Sequence, residues 1–268
     1  MATGAASLDP RGFDGADWAW EFLRRNHDYV ADWRGAVPRQ LPCIQLCDGT
    51  QLLRLPRRFP RAERWGLYAF ADPAFSARKA PAFWHADALK HLVHLRAVVP
   101  EKAGPATAAS DPARLCRLAD FKVARRAVID VDGKPLVMMK GRGVHIALAI
   151  DGLAVLTRCF APVYELHGLA DLAIQYELLK RLQRFMDDAP GLPPVALPAT
   201  DERLRQALIA LDESLAGKTY RQIAITIFGA KMVAEEWQGA SQFLKDRTRR
   251  LVAKGTELMK GGYRDLLG

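Results

Sequence analysis

In the last fifty residues the apolar positions recur with a helical period that is interrupted once. Thr219 to Phe228 sets Tyr220, Ile223 and Ile227 at i, i+3 and i+7, which predicts a short helix that buries this stripe and stops at Gly229. Ala224 lies mid-helix, where the close crossing of a second helix requires a small side chain. From Ser241 onward a longer helix is predicted. At about 100° per residue its Leu244, Thr248, Leu251, Gly255, Leu258 and Met259 share one face. Gly229 to Ala240 separates the two, far beyond the three or four residues of an ordinary helix-turn-helix, with Trp237 available to anchor the turn.

Earlier stretches show two other periods. Asp201 to Ala216 is predicted as a helix capped by Thr200, with Leu204, Leu208, Leu211 and Leu215 as its apolar stripe and Gly217 at its end. Leu169 to Met186 carries Leu172, Tyr176, Leu179 and Leu182 or Gln183 on one face of another helix. Arg125 to Gly152 instead holds three β-prone runs (127–131, 136–140 and 144–150). They are parted by Asp132-Gly133 and Gly141-Arg142-Gly143, which predicts an antiparallel meander. Shorter strands are expected at Cys43 to Leu46 and Leu52 to Leu55, and 103–113 and 187–200 have linker composition.

The start of the chain is different. Asp14 is a candidate N-cap for a helical segment with three tryptophans, Trp18, Trp20 and Trp33, in sixteen residues, joined by Phe22 and Tyr29. One short helix cannot cover that much aromatic surface. These side chains either pack against the rest of the molecule or form a docking surface for a partner. The expected fold class is α+β: a mainly helical C-terminal helix-turn-helix variant, preceded by a small antiparallel β-meander and the aromatic-rich N-terminal helical segment. The expected domains are 1–100, with its boundary between 85 and 113, and 114–268. The second contains the meander (127–150), a helix (169–186) and the extended-turn unit (201–268).

Composition narrows the function classes. The formal net charge is +9 and the pI about 9.6, a field that draws polyanions, nucleic acid first among them. Four cysteines are too few and too scattered for a disulfide framework, no signal-peptide pattern opens the chain, and no apolar run approaches a membrane span. A cytoplasmic protein without membrane attachment is expected. Cys43 and Cys47 have ligand-like spacing but no second pair, and His85, His91 and His94 lack an accompanying carboxylate motif, so no metal site is expected. Asp130, Asp132 and Asp151 belong to hairpin turns. No phosphate loop, nucleophile elbow or dinucleotide fingerprint is present, so neither catalytic residue nor cofactor is assigned, and the chain is not expected to be an enzyme.

Charge on the long helix supplies the positive argument. From Ser241 to Gly268 seven Lys and Arg stand against three Asp and Glu. Gln242, Lys245 and Arg249 lie nearest the helix start and could reach base edges. Arg247 and Arg250, with Arg221 and Lys218 of the preceding segment, suit phosphates, and the N–H groups at Ser241 and Gln242 offer a further phosphate contact. An isolated basic face is ordinarily just solvated. Preceded by the Tyr220/Ala224/Gly229 helix, it points to DNA.

The stretches WAWEFLRRNHDYVADW, WGLYAFADPAF with APAFWHADAL, and YRQIAITIFG…EEWQGASQFLKDRTRRLVAKGTELMKGGYRDLL together resemble a proteobacterial regulator family of mobile DNA. Its members pair an N-terminal transcriptional-regulator-like domain with a C-terminal extended-turn helix-turn-helix domain. The resemblance covers most of the chain apart from about Val37 to Arg61. It implies that one side of the C-terminal domain binds DNA while the other meets the N-terminal domain. Full-length members resemble activators of excision and transfer genes of integrative and conjugative elements, whereas reduced, acidic members look like antiactivators. Promoter or operator DNA is therefore the expected partner, with an antiactivator protein and RNA polymerase as further candidates. Trp18, Trp20, Phe22, Tyr29 and Trp33 are the interdomain or partner-contact set. A protein-interaction module without direct DNA contact is the alternative.

Overall fold

The structure is a computed structural model that describes residues 10–39, 41–99, 115–141, 144–166, 168–186, 199–237 and 242–268. The linker stretch 103–113, most of 187–200, and Ser241 lie outside these residues. The fold is mixed α+β. Contacts divide it into two compact units: Met1–Ala36, Ala71–Ala82 and Pro194–Leu267 form one, and Val37–Phe70, Phe83–Pro193 and Gly268 the other.

The second unit is built on a seven-stranded sheet in the order β1-β2-β4-β5-β6-β3-β7. Its strands are β1 (Ile44–Gln45), β2 (Gln51–Arg54), β3 (Leu92–Val98), β4 (Ala124–Ile129), β5 (Pro135–Gly141), β6 (Val144–Asp151) and β7 (Ala161–Glu165). The β4, β5 and β6 strands pair consecutively and antiparallel, with Val128 opposite Leu136 and Met139 opposite Ile146. The sheet is larger than the small meander expected from turn chemistry. Parallel pairings of β2 with β4 and of β3 with β6 extend it on both sides, and β7 closes one edge antiparallel to β3. The β3 and β7 strands had no strong sequence signal. His94 and Arg96 interrupt the apolar run of β3, and Pro162 sits within β7, a residue sheets tolerate at an edge.

One face of this sheet carries a core that includes Val137, Met139, Ile146, Leu148, Phe121 and Phe160. Helix α4 (Leu172–Met186) contributes Leu182 and Phe185 to it. The apolar stripe expected on this helix is only partly used, because Leu172 and Tyr176 are exposed. Its second half decides which side faces inward, where Leu178 and Leu179 pack against the same core as Leu182 and Phe185. Tyr68, Phe70, Phe83 and Trp84 are also buried in this unit, and the short helix α3 (Pro60–Glu63) precedes them.

The first unit is helical. The helices are α1 (Gly15–Leu23), α2 (His27–Arg34), α5 (Ala199–Leu215), α6 (Tyr220–Phe228), α7 (Ala230–Glu236) and α8 (Phe243–Met259), followed by a 3₁₀ segment, Gly262–Leu267. A capping box opens α1: the Asp14 side chain accepts the Asp17 N–H, and Asp17 accepts the Asp14 N–H, both at 3.0 Å. Every residue of α1 from Ala16 to Leu23 is buried, so this helix is core on all sides. It packs against α5, α8 and the closing 3₁₀ segment, whose Tyr263 and Leu267 are themselves buried.

Candidate nucleic-acid interface

Two small cores join α5 to α8. Ala210, Ile223 and Val252, with Ile227 and Leu251 beside them, bind α5, α6 and α8 together. Ala224, Val233 and Leu244, with Phe228 and Trp237, do the same for α6, α7 and α8. Ala224 is fully buried, as a close helix crossing needs, whereas Tyr220 is half exposed and lies outside the expected apolar stripe. Thr219 starts α6 in a capping box: its N–H donates to Gln222 Oε1 at 2.9 Å.

The expected long turn is corrected in its first half. Residues 230–236 form α7, and Gly229 serves both as the C-cap of α6 and as the N-cap of α7. Its φ of 90° is open to glycine and strained for other residues, so the chain reverses there within one position. Val233 is then buried, and Trp237 follows one helical turn later as the anchor the sequence suggested.

The α8 helix begins with Gln242 in the left-handed region and without a side-chain cap. Leu244, Thr248, Val252, Gly255, Leu258 and Met259 form its buried face. Thr248 is tolerated there because its hydroxyl donates to the Leu244 carbonyl at 2.8 Å. Arg247, Arg249, Arg250 and Lys254 are exposed along the opposite arc. Lys245 is half-buried, its ammonium 5.9 Å from the Trp237 ring centre. Arg247 lies 4.6 Å above Phe228 and reaches Gln206 Oε1 of α5 at 3.4 Å. Both cations are thus held on aromatic surface. Gln242 and Arg221 are exposed at the starts of α8 and α6, and Lys218 pairs with Glu213.

The N-terminal aromatics are not on this surface. Trp18, Trp20, Phe22 and Tyr29 are all buried, and Trp33 is half-buried. Trp18 Nε1–H donates to Asp201 Oδ1 at 3.1 Å, Trp20 Nε1–H to the Phe75 carbonyl at 3.0 Å, and the Tyr29 hydroxyl to the Ala71 carbonyl at 2.7 Å. Polar anchors lie beside them. Arg25 forks onto Asp212 of α5, with Nη2 to Oδ2 at 2.9 Å, and also meets Glu21 at 2.8 Å. Burial lowers the Arg25 pKa, but the hydrogen bond and charge of Asp212 outweigh it, and the guanidinium is held above its ordinary value. Asn26 Nδ2–H donates to the Met259 carbonyl at 2.9 Å, satisfying an orphan acceptor at the end of α8. Glu21, fully buried, is bound by Arg24 at 2.7 Å and by the Ala77 N–H at 2.8 Å.

Sequence reasoning missed Asp201, Asp212 and Val252. No local pattern marks the two aspartates, because their partners lie more than 180 positions away. The Val252 position could have been found, since it falls beside Thr248 and Met259 on the helical wheel. Among the described residues no group of three His, Cys, Asp or Glu is placed to hold a metal ion, and no helix is long and apolar enough to cross a membrane.

Residues 168–268 match a family described as the DNA-binding domain of a T6SS transcription factor, and residues 4–68 match a proteobacterial transcriptional regulator-like domain. No curated protein matches the chain. The helices α5 to α8 and their cationic surface all fall within the first match, and α1 and α2 within the second. With both matches in this order, the two regions fit the two-domain regulator family that the sequence resembles, a transcriptional regulator-like domain followed by a transcription-factor DNA-binding domain.

Proposed function

We propose that the chain is a sequence-specific DNA-binding transcriptional activator of the excision and transfer genes of an integrative and conjugative or related mobile element. The observation that carries the DNA contact is α8: its buried face is fixed by α5, α6 and α7 while Arg247, Arg249 and Arg250 stay exposed on one helix. In this reading α8 enters the major groove. Arg249, Gln242 and Lys245 approach base edges; Arg247, Arg250, Arg221 and Lys218 meet phosphates. The uncapped first turn of α8 offers N–H groups to a phosphate, together with Ser241. The protein catalyses no reaction and requires no cofactor.

The burial of Trp18, Trp20 and Phe22 favours this reading over an interaction module that works through an exposed tryptophan surface. An antiactivator or RNA polymerase would then meet another part of the N-terminal region. The activating sign and the mobile-element target rest on the family resemblance. The matched DNA-binding domain is described for a T6SS transcription factor, which makes T6SS genes the alternative target. Genome-wide footprinting, followed by promoter fusions, separates these. Protected sites upstream of excision and transfer genes, with expression rising on induction, support the proposal. Protection confined to T6SS promoters overturns the target, and a duplex affinity that does not fall with salt overturns the DNA contact.

A further inference from the structure

A groove with about 600 Å³ of open space runs between α5 and α8 in the helical unit. Leu204 and Leu251 give it apolar walls, and Phe243, 55% exposed, stands at the N-terminal end of α8. Four cations surround this apolar surface: Arg203 from α5, and Arg247, Arg250 and Lys254 from α8. Among the described residues no carboxylate lines it. Lys254 is paired with Glu257 at 2.9 Å, and Arg247 is engaged by Phe228 and Gln206. Among the described residues, Arg203 and Arg250 have no acidic partner.

Each simple occupant satisfies half of this site. Water solvates the guanidinium groups but gains nothing from the leucine and phenylalanine surface. A bare phosphate answers the charge and leaves the apolar walls wet. A hydrocarbon covers the walls and leaves the cations unpaired. The space is of the size that holds a small organic ligand, with apolar lining and a few convergent polar groups. Charge complementarity and apolarity together select a molecule with a hydrocarbon body and one anionic head.

We propose that this groove binds an amphipathic carboxylate, a medium-chain aliphatic acid. Its chain lies along Leu204, Leu251 and Phe243, and its head pairs with Arg203 and Arg250. Guanidinium is suited to this because its planar fork takes a carboxylate through two parallel hydrogen bonds. The second half of the proposal rests on the DNA reading above. Arg247 and Arg250 border the groove and belong to the phosphate-contacting set, so an occupied groove neutralises part of the DNA face. The acid therefore acts as an antagonist of duplex binding.

The test uses the full chain and decanoate below its micelle-forming concentration. Isothermal titration is expected to show saturable one-to-one binding, with decanol, of equal chain length and no charge, weaker by about tenfold or more. Arg203→Glu, on an exposed side chain outside the proposed DNA set, is expected to weaken decanoate similarly while leaving the circular dichroism spectrum unchanged. Saturating decanoate is expected to raise the duplex Kd of the wild-type chain but not of Arg203→Glu. Absence of saturable heat, or equal binding of decanol, overturns the site, and unimpaired decanoate binding by folded Arg203→Glu does the same. Decanoate binding with unchanged duplex affinity overturns the antagonism. Failure of the chain to bind duplex without decanoate overturns the DNA reading and leaves the groove assignment to its own titration.

Discussion

Gly255 of α8 lies directly against the backbone of Ala207 in α5. A Cβ at position 255 would come within 2.5 Å of the Ala207 carbonyl oxygen and 3.0 Å of the Leu211 Cβ. This contact sets the distance between the helix that carries the cations and the helix that supports it. Replacing glycine by alanine in a helix ordinarily gains up to about 1 kcal/mol. Here the obstacle is backbone, which cannot rotate away, so overpacking wins. Gly255→Ala is expected to destabilise the protein by about 1–3 kcal/mol. Chemical denaturation checks this, and an increased midpoint would refute the close approach.

Arg249 is exposed, and its removal is expected to leave the fold intact. Arg249→Ala should shift thermal stability within about 0.5 kcal/mol while weakening binding to the operator more than to unrelated duplex, as a base-edge contact does. A uniform loss across sequences, with the salt-dependence slope lowered by about 0.9, would instead place it on a phosphate. Unchanged binding in a gel-shift titration would remove Arg249 from the interface.

Lys245 behaves differently, because its ammonium sits over Trp237. Lys245→Ala is expected to cost about 0.5–1 kcal/mol of stability as well as duplex affinity. Combined with Arg249→Ala it is expected to abolish operator binding. A double mutant that binds the operator as the wild type does would sink the assignment of α8 to the groove.

Arg25 and Asp212 hold the start of the chain to α5. The Arg25 side chain is 8% exposed and that of Asp212 23%, so the pair is partly screened. Asp212→Ala leaves a buried guanidinium with Glu21 alone. It is expected to cost about 2–3 kcal/mol. A double-mutant cycle with Arg25→Ala isolates the coupling, and a coupling near zero would show that the pair contributes no stability.

The thiols report on the sheet unit. Burial pushes Cys116 up to about 11 and also raises the Cys43 thiol, but Cys43 and Cys47 are both exposed to reagent. The thiolate is the reactive form, so iodoacetamide at neutral pH is expected to label Cys47 and Cys43 in the native protein and Cys116 only after unfolding. Mass spectrometry of native and denatured samples reads the difference. Rapid native labelling of Cys116 would contradict its burial in the core of this unit, where it bridges to Phe160.

Periodicity and capping were enough to find α6, α8, the Gly229 reversal and the strands β4 to β6, because each depends on neighbours a few residues away. The cationic content of α8 was legible for the same reason. Three features were decided only in three dimensions. Residues 230–236 are helical because Val233 and Trp237 find a core made by Ala224 and Leu244, which no local pattern shows. The tryptophan-rich start is buried because Asp201, Asp212 and the Met259 carbonyl receive its polar groups from more than 180 positions away. The four cations around the α5–α8 groove converge because Gly255 lets two helices approach closely. Sequence alone shows which side chains share a face of one element; packing between elements determines what that face meets.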